Sequence, residues 1–201
     1  MSEILRSATI PVSRETLARL ELFTNLVLKW NKAVNLISKG DEDRFWDRHV
    51  LDCLQLSPCI GPGSTRLIDM GSGAGLPGLV LALASNLKAE LIEADQRKAT
   101  FLREAARITE ADVIVHNCRL EAAHLPRSEI VTARALCRLD QLLSHANKFL
   151  APSGKALFPK GPAPQAEIEE ARQNWAFDAV TTPTRLGTIV TVTNLRPRPR
   201  P

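Results

Sequence analysis

The sequence predicts an α/β fold: a mainly parallel sheet flanked by helices, with a helical cap before it and an antiparallel hairpin after it. Three observations carry this. The apolar stretch Leu67-Ile68-Asp69-Met70 runs into a glycine-rich turn, Gly71 to Gly78, and then into apolar residues at helical spacing. From there to residue 174, short β-branched runs alternate with helical periodicity, the pattern of a parallel sheet. Two last β-branched stretches, 176–182 and 188–194, are separated only by Pro183-Thr184-Arg185-Leu186-Gly187 and so pair as a hairpin.

In chain order, the cap comes first. Ser13 is placed to cap a helix, and Leu20, Phe23, Val27, Trp30, Val34 and Ile37 recur at steps of three and four. A second helix over 43–56 would bury Phe45 or Trp46, Val50 and Leu54, before Pro58, Gly61, Pro62 and Gly63 interrupt the chain. After the first strand and its glycine turn, Pro77 suits the opening of a helix that runs through Leu79, Val80, Leu83 and Ala84 to Asn86. A strand at 89–94, a helix at 97–108 and strands at 113–116 and 130–132 follow. Then come a helix at 139–150, a strand at 155–159 and a glutamate-rich helix at 166–174. Residues 196–201, an Arg-Pro repeat, read as an extended, solvated tail, either idle or in contact with phosphate. The chain thus divides into a cap at 1–63, an α/β core at 64–195 and a basic tail at 196–201.

Composition narrows the function classes. A chain of 201 residues with 44% apolar residues can bury the core of one such domain. The formal net charge of +4 favours an anionic partner, nucleic acid among them, without naming it. Cys53, Cys59, Cys118 and Cys137 have neither the spacing nor the neighbouring histidines of a zinc site, so neither metal nor disulfide is expected. The start lacks the apolar core of a signal peptide and no run could span a bilayer. A cytoplasmic monomer without membrane contact is the expectation.

The glycine turn carries the chemistry. Its alternating glycines allow a sharp turn and a close backbone approach to a ligand, and strand, turn and helix start should together offer N–H donors. The stretch Gly73-Ala74-Gly75-Leu76-Pro77-Gly78 fits the dinucleotide pattern G-x-G-x-x-G, so NAD is one candidate. S-adenosylmethionine is the other. Glu93 ends the next strand about twenty residues on, where a carboxylate binds the ribose diol that both cofactors carry. Asp69 separates them: a carboxylate at the strand tip repels a pyrophosphate and suits a ligand with a cationic amino-acid end. The terminal hairpin argues the same way. It is characteristic of the Rossmann-like class I methyltransferase fold, whereas a dehydrogenase would continue with βα units.

Methyl transfer from a sulfonium asks the protein mainly to position donor and acceptor. The Asn/Asp-Pro-Pro-Tyr/Phe motif of exocyclic-amine methylases is missing from a chain with no tyrosine and no Pro-Pro. Cys118 and Cys137 lack the Pro-Cys context of a cytosine C5 nucleophile. Arg134 instead follows the fourth strand, at the ligand edge of the sheet, where it could contact cofactor, phosphate, a guanine edge or a surface ion partner. Guanine N7 has a lone pair and no proton to lose, so it suits a site without a general base. His49 and Asp52, three apart on a helix, could share a hydrogen bond, and Lys160 could face substrate or solvent. His116, His124 and His145 read as ordinary histidines. No catalytic residue is assigned.

Several segments together resemble one family: Trp30-Asn31-Lys32-Ala33-Val34-Asn35-Leu36, Arg48-His49-Val50-Leu51-Asp52, the loop Asp69 to Gly78, Ala133-Arg134-Ala135 and Lys160-Gly161. Their order is similar to that of the RsmG family, also called glucose-inhibited division protein B, over nearly the whole chain. The resemblance implies transfer of a methyl group from S-adenosylmethionine, giving S-adenosylhomocysteine, to N7 of a guanine near the decoding site, guanine-527 of 16S rRNA. The implied partner is 16S rRNA or the small ribosomal subunit. It further implies that Gly71 and Leu76 hold the methionine portion, Glu93 the ribose, and Leu120 and Glu121 the adenine, with Gly73 and Arg134 as further cofactor contacts. Cys53 departs from the family's usual serine and Met70 from a common valine; neither removes a charge. The Arg-Pro tail is not a family motif.

Overall fold

The computed structural model describes residues 12–85 and 87–199. Helix α1 spans Arg14–Val34, and the Ser13 hydroxyl accepts from the Thr16 N–H at 3.0 Å as its cap. Leu20, Phe23, Val27 and Val34 form its buried face, as the spacing predicts. Asn35, in the left-handed region (φ 53°), ends the helix, so Ile37 falls outside it despite its matching step. The expected α-helix over 43–56 is replaced by three pieces: a 3-10 turn Lys39–Arg44, a π turn Trp46–Val50 and a short helix α2, Leu51–Leu54. A π turn brings residues five apart onto one face, and Phe45 and Val50 are both buried.

The sheet has seven strands: β1 (Arg66–Met70), β2 (Lys88–Ile92), β3 (Val113–His116), β4 (Ser128–Thr132), β5 (Leu150–Lys160), β6 (Trp175–Pro183) and β7 (Thr188–Pro197). Their order is β3-β2-β1-β4-β5-β7-β6. Strands β1 to β5 pair in parallel, and β7 lies antiparallel between β5 and β6. The order reverses between β1 and β4, which opens a crevice at the carboxyl ends of these strands. The remaining helices are α3 (Gly78–Ala84), α4 (Gln96–Thr109), α5 (Leu139–Phe149) and α6 (Gln165–Ala171). Pro77 stands just before α3 rather than in its first turn; Asn86, the expected helix end, lies outside the described residues.

Strand alternation sends Leu67 and Ile68 to opposite cores. One core joins the sheet to α1, α3 and α4; the other joins it to α5 and α6. The cap therefore has no core of its own. Phe23 packs against the rings of Phe45 and Phe101 (centroids 6.2 and 6.5 Å), and Phe101 belongs to α4. Burying each such ring contributes about 1.5–3 kcal/mol, so the cap is held to the sheet mainly by this shared apolar face. The tail also differs from expectation. Arg196 pairs with Ala176 and Pro197 with Trp175 at the end of β7, and the Arg198 N–H donates to the Asn174 carbonyl at 2.9 Å. The backbone accounts for it: these residues complete the hairpin before the chain leaves the sheet. Arg200 and Pro201 lie outside the described residues.

Candidate active site

The loop after β1 needs its glycines. Gly71, Gly73 and Gly75 have φ of 69°, 54° and 87°, in a region that other residues enter at a cost. Most backbone donors of this loop are already used, and only the Ala74 N–H is left without an acceptor among the described residues. Gly71 and Ser72 donate to the Ile92 carbonyl, Gly75 and Leu76 to the Ser72 carbonyl, Gly73 to Glu93 and Gly78 to Asp69. The expected row of free N–H groups is thus reduced to that of Ala74, which lines the cavity above the loop. A pyrophosphate would find few donors here.

Asp69 does not face the ligand, as its position at the strand tip suggested it would. It is fully buried: Oδ1 accepts from the Thr132 hydroxyl at 2.9 Å and Oδ2 from the Gly78 N–H at 3.1 Å. Burial pushes its carboxyl up to about 6, against the pull of these bonds. A Cβ on Gly78 would lie 2.6 Å from both Asp69 Cβ and Leu91 Cδ2, so the helix start is seated directly on this carboxylate. Asp69 ties β1, β4 and α3 together.

A cavity of about 960 Å³ opens above the loop. Gly71, Gly73 and Leu76 line its base, and a Cβ on Gly73 would meet nothing closer than the Gly71 carbonyl at 3.9 Å. Glu93 stands at its side, nearly buried, with Oε2 accepting from Gly73 N–H and Oε1 from Asp95 N–H, both at 2.8 Å. Each oxygen keeps a second lone pair for a diol. Leu120 and Glu121 form another wall, their carbonyls accepting from the Lys148 ammonium at 3.2 and 2.8 Å. Arg134 completes the ring. All seven residues expected from the sequence meet in this one cavity. It is open over Gly73, with backbone acceptors and the Glu93 and Asp41 carboxylates in its walls, and it fits S-adenosylmethionine by shape and polar lining.

Arg134 also lines a second cavity, of about 470 Å³, as do Arg48, Ala135 and Cys137. Its Nη2 is 3.4 Å from Asp52 Oδ2 and donates to the Arg48 carbonyl at 3.3 Å, and its Nη1 is 3.9 Å from Cys53 Sγ. The expected His49–Asp52 bond is not formed, because the π turn separates the two side chains. His49 Nε2 instead lies 3.5 Å from Asp41 Oδ2, and burial, reinforced by Arg134, holds the imidazole below its ordinary range despite Asp41. Burial raises the Asp52 carboxyl, opposed by Arg134 and Arg185. Lys160 lines this second cavity and is paired with Glu167 at 2.7 Å. Burial also raises both nearby thiols, Cys137 and Cys53, the latter to about 12, which fits neither as a nucleophile. Asp41, Thr184 and Leu186 were not foreseen: they reach the cavities from turns that carry no sequence period.

Among the described residues no group of three or more His, Cys, Asp or Glu could hold a metal ion, and no helix is long and apolar enough to cross a membrane. Comparison with solved structures places the fold. The chain resembles a ribosomal protein L11 methylase from Lactobacillus delbrueckii (TM-score 0.60, 14% identity, covering 73% of this chain and 78% of that one). It also resembles a variant of MtNAS in complex with S-adenosylmethionine (TM-score 0.57, 14% identity, 87% and 74% covered). Sequence goes further. Ribosomal RNA small subunit methyltransferase G of Granulibacter bethesdensis is 48% identical over 174 residues, covering 87% of this chain and 82% of that protein. The protein of the same name from Rhodospirillum centenum is 44% identical over 194 residues, covering 95% and 90%. Residues 16–188 match the GidB family model, rRNA small subunit methyltransferase G. With a Rossmann-like sheet, a glycine loop at positive φ and this match along most of its length, the chain belongs to the rRNA small subunit methyltransferase G family and is an S-adenosylmethionine-dependent methyltransferase.

Proposed function

We propose that this chain methylates N7 of a guanine in 16S rRNA, guanine-527 near the decoding site, acting on the RNA or on the small ribosomal subunit. Bound S-adenosylmethionine supplies the methyl group on a sulfonium, and its transfer to N7 is an in-line displacement that leaves S-adenosylhomocysteine. The protein's part is to hold and orient. Gly71, Gly73 and Leu76 receive the methionine portion, Glu93 accepts from the ribose hydroxyls, and Leu120 and Glu121 flank the adenine. Arg134 reaches the cofactor from the opposite wall.

The observation that carries the reading is Arg134 at the end of β4, shared by the two cavities, where an acceptor would meet the cofactor. An arginine cannot take a proton, and a guanine N7 has none to give. The test is labelled S-adenosylmethionine with small subunits from a strain lacking this enzyme, followed by mapping of the modified base. Label on guanine N7 is expected. Label on an exocyclic amine or a 2′-hydroxyl would overturn the mechanism.

A further inference from the structure

We propose that the second cavity receives the Watson–Crick edge of the target base and that Asp52 is the residue that recognises guanine there. This rests on the guanine-N7 reading and says which side chain enforces it.

Geometry comes first. The cavity bounded by Arg48, Asp52, Lys160, Thr184 and Leu186 adjoins the cofactor cavity across Arg134 and Ala135. In guanine, N7 lies on the edge opposite N1–H and the 2-amino group. A base that turns N7 towards the cofactor therefore turns these two donors away from it, into the second cavity. Two parallel N–H donors are matched by the two oxygens of one carboxylate.

Two carboxylates line that cavity, and Glu167 is already anchored through Oε2 whereas Asp52 is not. Glu167 accepts from Lys160 at 2.7 Å and from the Leu139 N–H at 2.9 Å. Asp52 is 9% exposed and its close charged neighbour is Arg134 at 3.4 Å, with Arg185 and Arg48 beyond. Among the described residues its carboxylate accepts no hydrogen bond of ordinary geometry, an expensive state for a buried charge unless a ligand supplies donors. The guanidinium of Arg134 beside it can donate to guanine O6. Adenine presents the opposite pattern, an acceptor at N1 and a donor at C6, and would set its N1 lone pair against the carboxylate.

The experiment compares guanine with inosine at the target position of reconstituted small subunits. Inosine keeps N7, O6 and N1–H and lacks only the 2-amino group. With the unaltered enzyme, kcat/KM should fall about 10- to 100-fold on inosine, the loss of one charge-assisted hydrogen bond. Asp52→Asn should lower kcat/KM on guanine by a similar factor and bring the guanine-to-inosine ratio to within about threefold of unity. If Asp52 served only to position Arg134, the variant would slow both substrates equally and keep the ratio, which would overturn the assignment. Equal rates on guanine and inosine by the unaltered enzyme would overturn it without any variant. Methylation at N7 with a ratio of one removes this pocket assignment alone, whereas methylation elsewhere than N7 removes the proposed function and this inference with it.

Discussion

The two adjoining cavities are built by opposite means. The cofactor cavity is made of backbone: three glycines at positive φ, a loop most of whose donors are bonded within the protein, and a helix start seated on a buried carboxylate. The second cavity is made of side chains, Arg48 and Asp52 from the cap, Arg134 after β4, Lys160 at the end of β5 and Thr184 and Leu186 from the hairpin turn. Backbone sites are rigid and intolerant, because a glycine that needs its bare Cα has no substitute. Side-chain sites can be altered one group at a time. A cofactor common to many enzymes is thus met by the first kind of site, and an acceptor particular to one enzyme by the second.

Gly78→Ala should break the first region hardest. Its added Cβ would stand 2.6 Å from Asp69 Cβ and Leu91 Cδ2, both in the core, so β1 and α3 must part. About 3 kcal/mol of stability should be lost, at the upper end of overpacking effects, as read from the denaturant midpoint. An unchanged midpoint would mean that α3 is not seated on Asp69. Next in size is Glu93→Ala. It removes the acceptor for Gly73 and Asp95 N–H as well as the ligand's, and should weaken S-adenosylmethionine binding by about 1.5–3 kcal/mol in calorimetry.

The same contrast decides what could be read from the sequence. Gly71, Gly73, Leu76 and Glu93 are legible because a strand, a turn and a second strand recur at fixed spacing around the loop. The parallel sheet and the terminal hairpin followed from β-branched runs, their alternation with helices and the turn between the last two. The second cavity gave no such signal: Asp52 and Thr184 meet only through tertiary folding. The π turn escaped because helical periodicity does not distinguish steps of four from five over so short a segment. Asp69 shows the opposite failure. Its position was read correctly and its direction was not, since a strand residue next to a glycine turn can face either the ligand or the core.

Asp69 gives a smaller effect that sharpens this point. A carboxyl raised from 3.8 to about 6 favours the folded state while protonated. Its contribution is therefore fully present below about pH 4 and lost as pH rises through 6. Asp69→Asn should remove that slope, because the amide can accept from Gly78 N–H and donate to the Thr132 hydroxyl. The check is the difference in unfolding free energy between the two proteins from pH 4 to 7. A constant difference would place the ionised carboxylate in a better-solvated setting than its burial implies.

Cys53→Ser should do least, and it tests the tolerance of the second region. The thiol is fully buried beneath Asp52, 3.9 Å from Arg134 Nη1, and burial pushes it up to about 12. A thiol at that value is protonated at pH 8 and should resist alkylation until the chain unfolds. Serine is smaller by a fraction of an atom and adds a polar group, but its hydroxyl can accept from Arg134, so the desolvation of one is offset by the bond to the other. The net change should stay under about 1 kcal/mol, with the guanine-to-inosine ratio unaltered. A loss as large as that of Gly78→Ala would mean that the side-chain-built region is as rigid as the backbone-built one, and the distinction between the two cavities would fail.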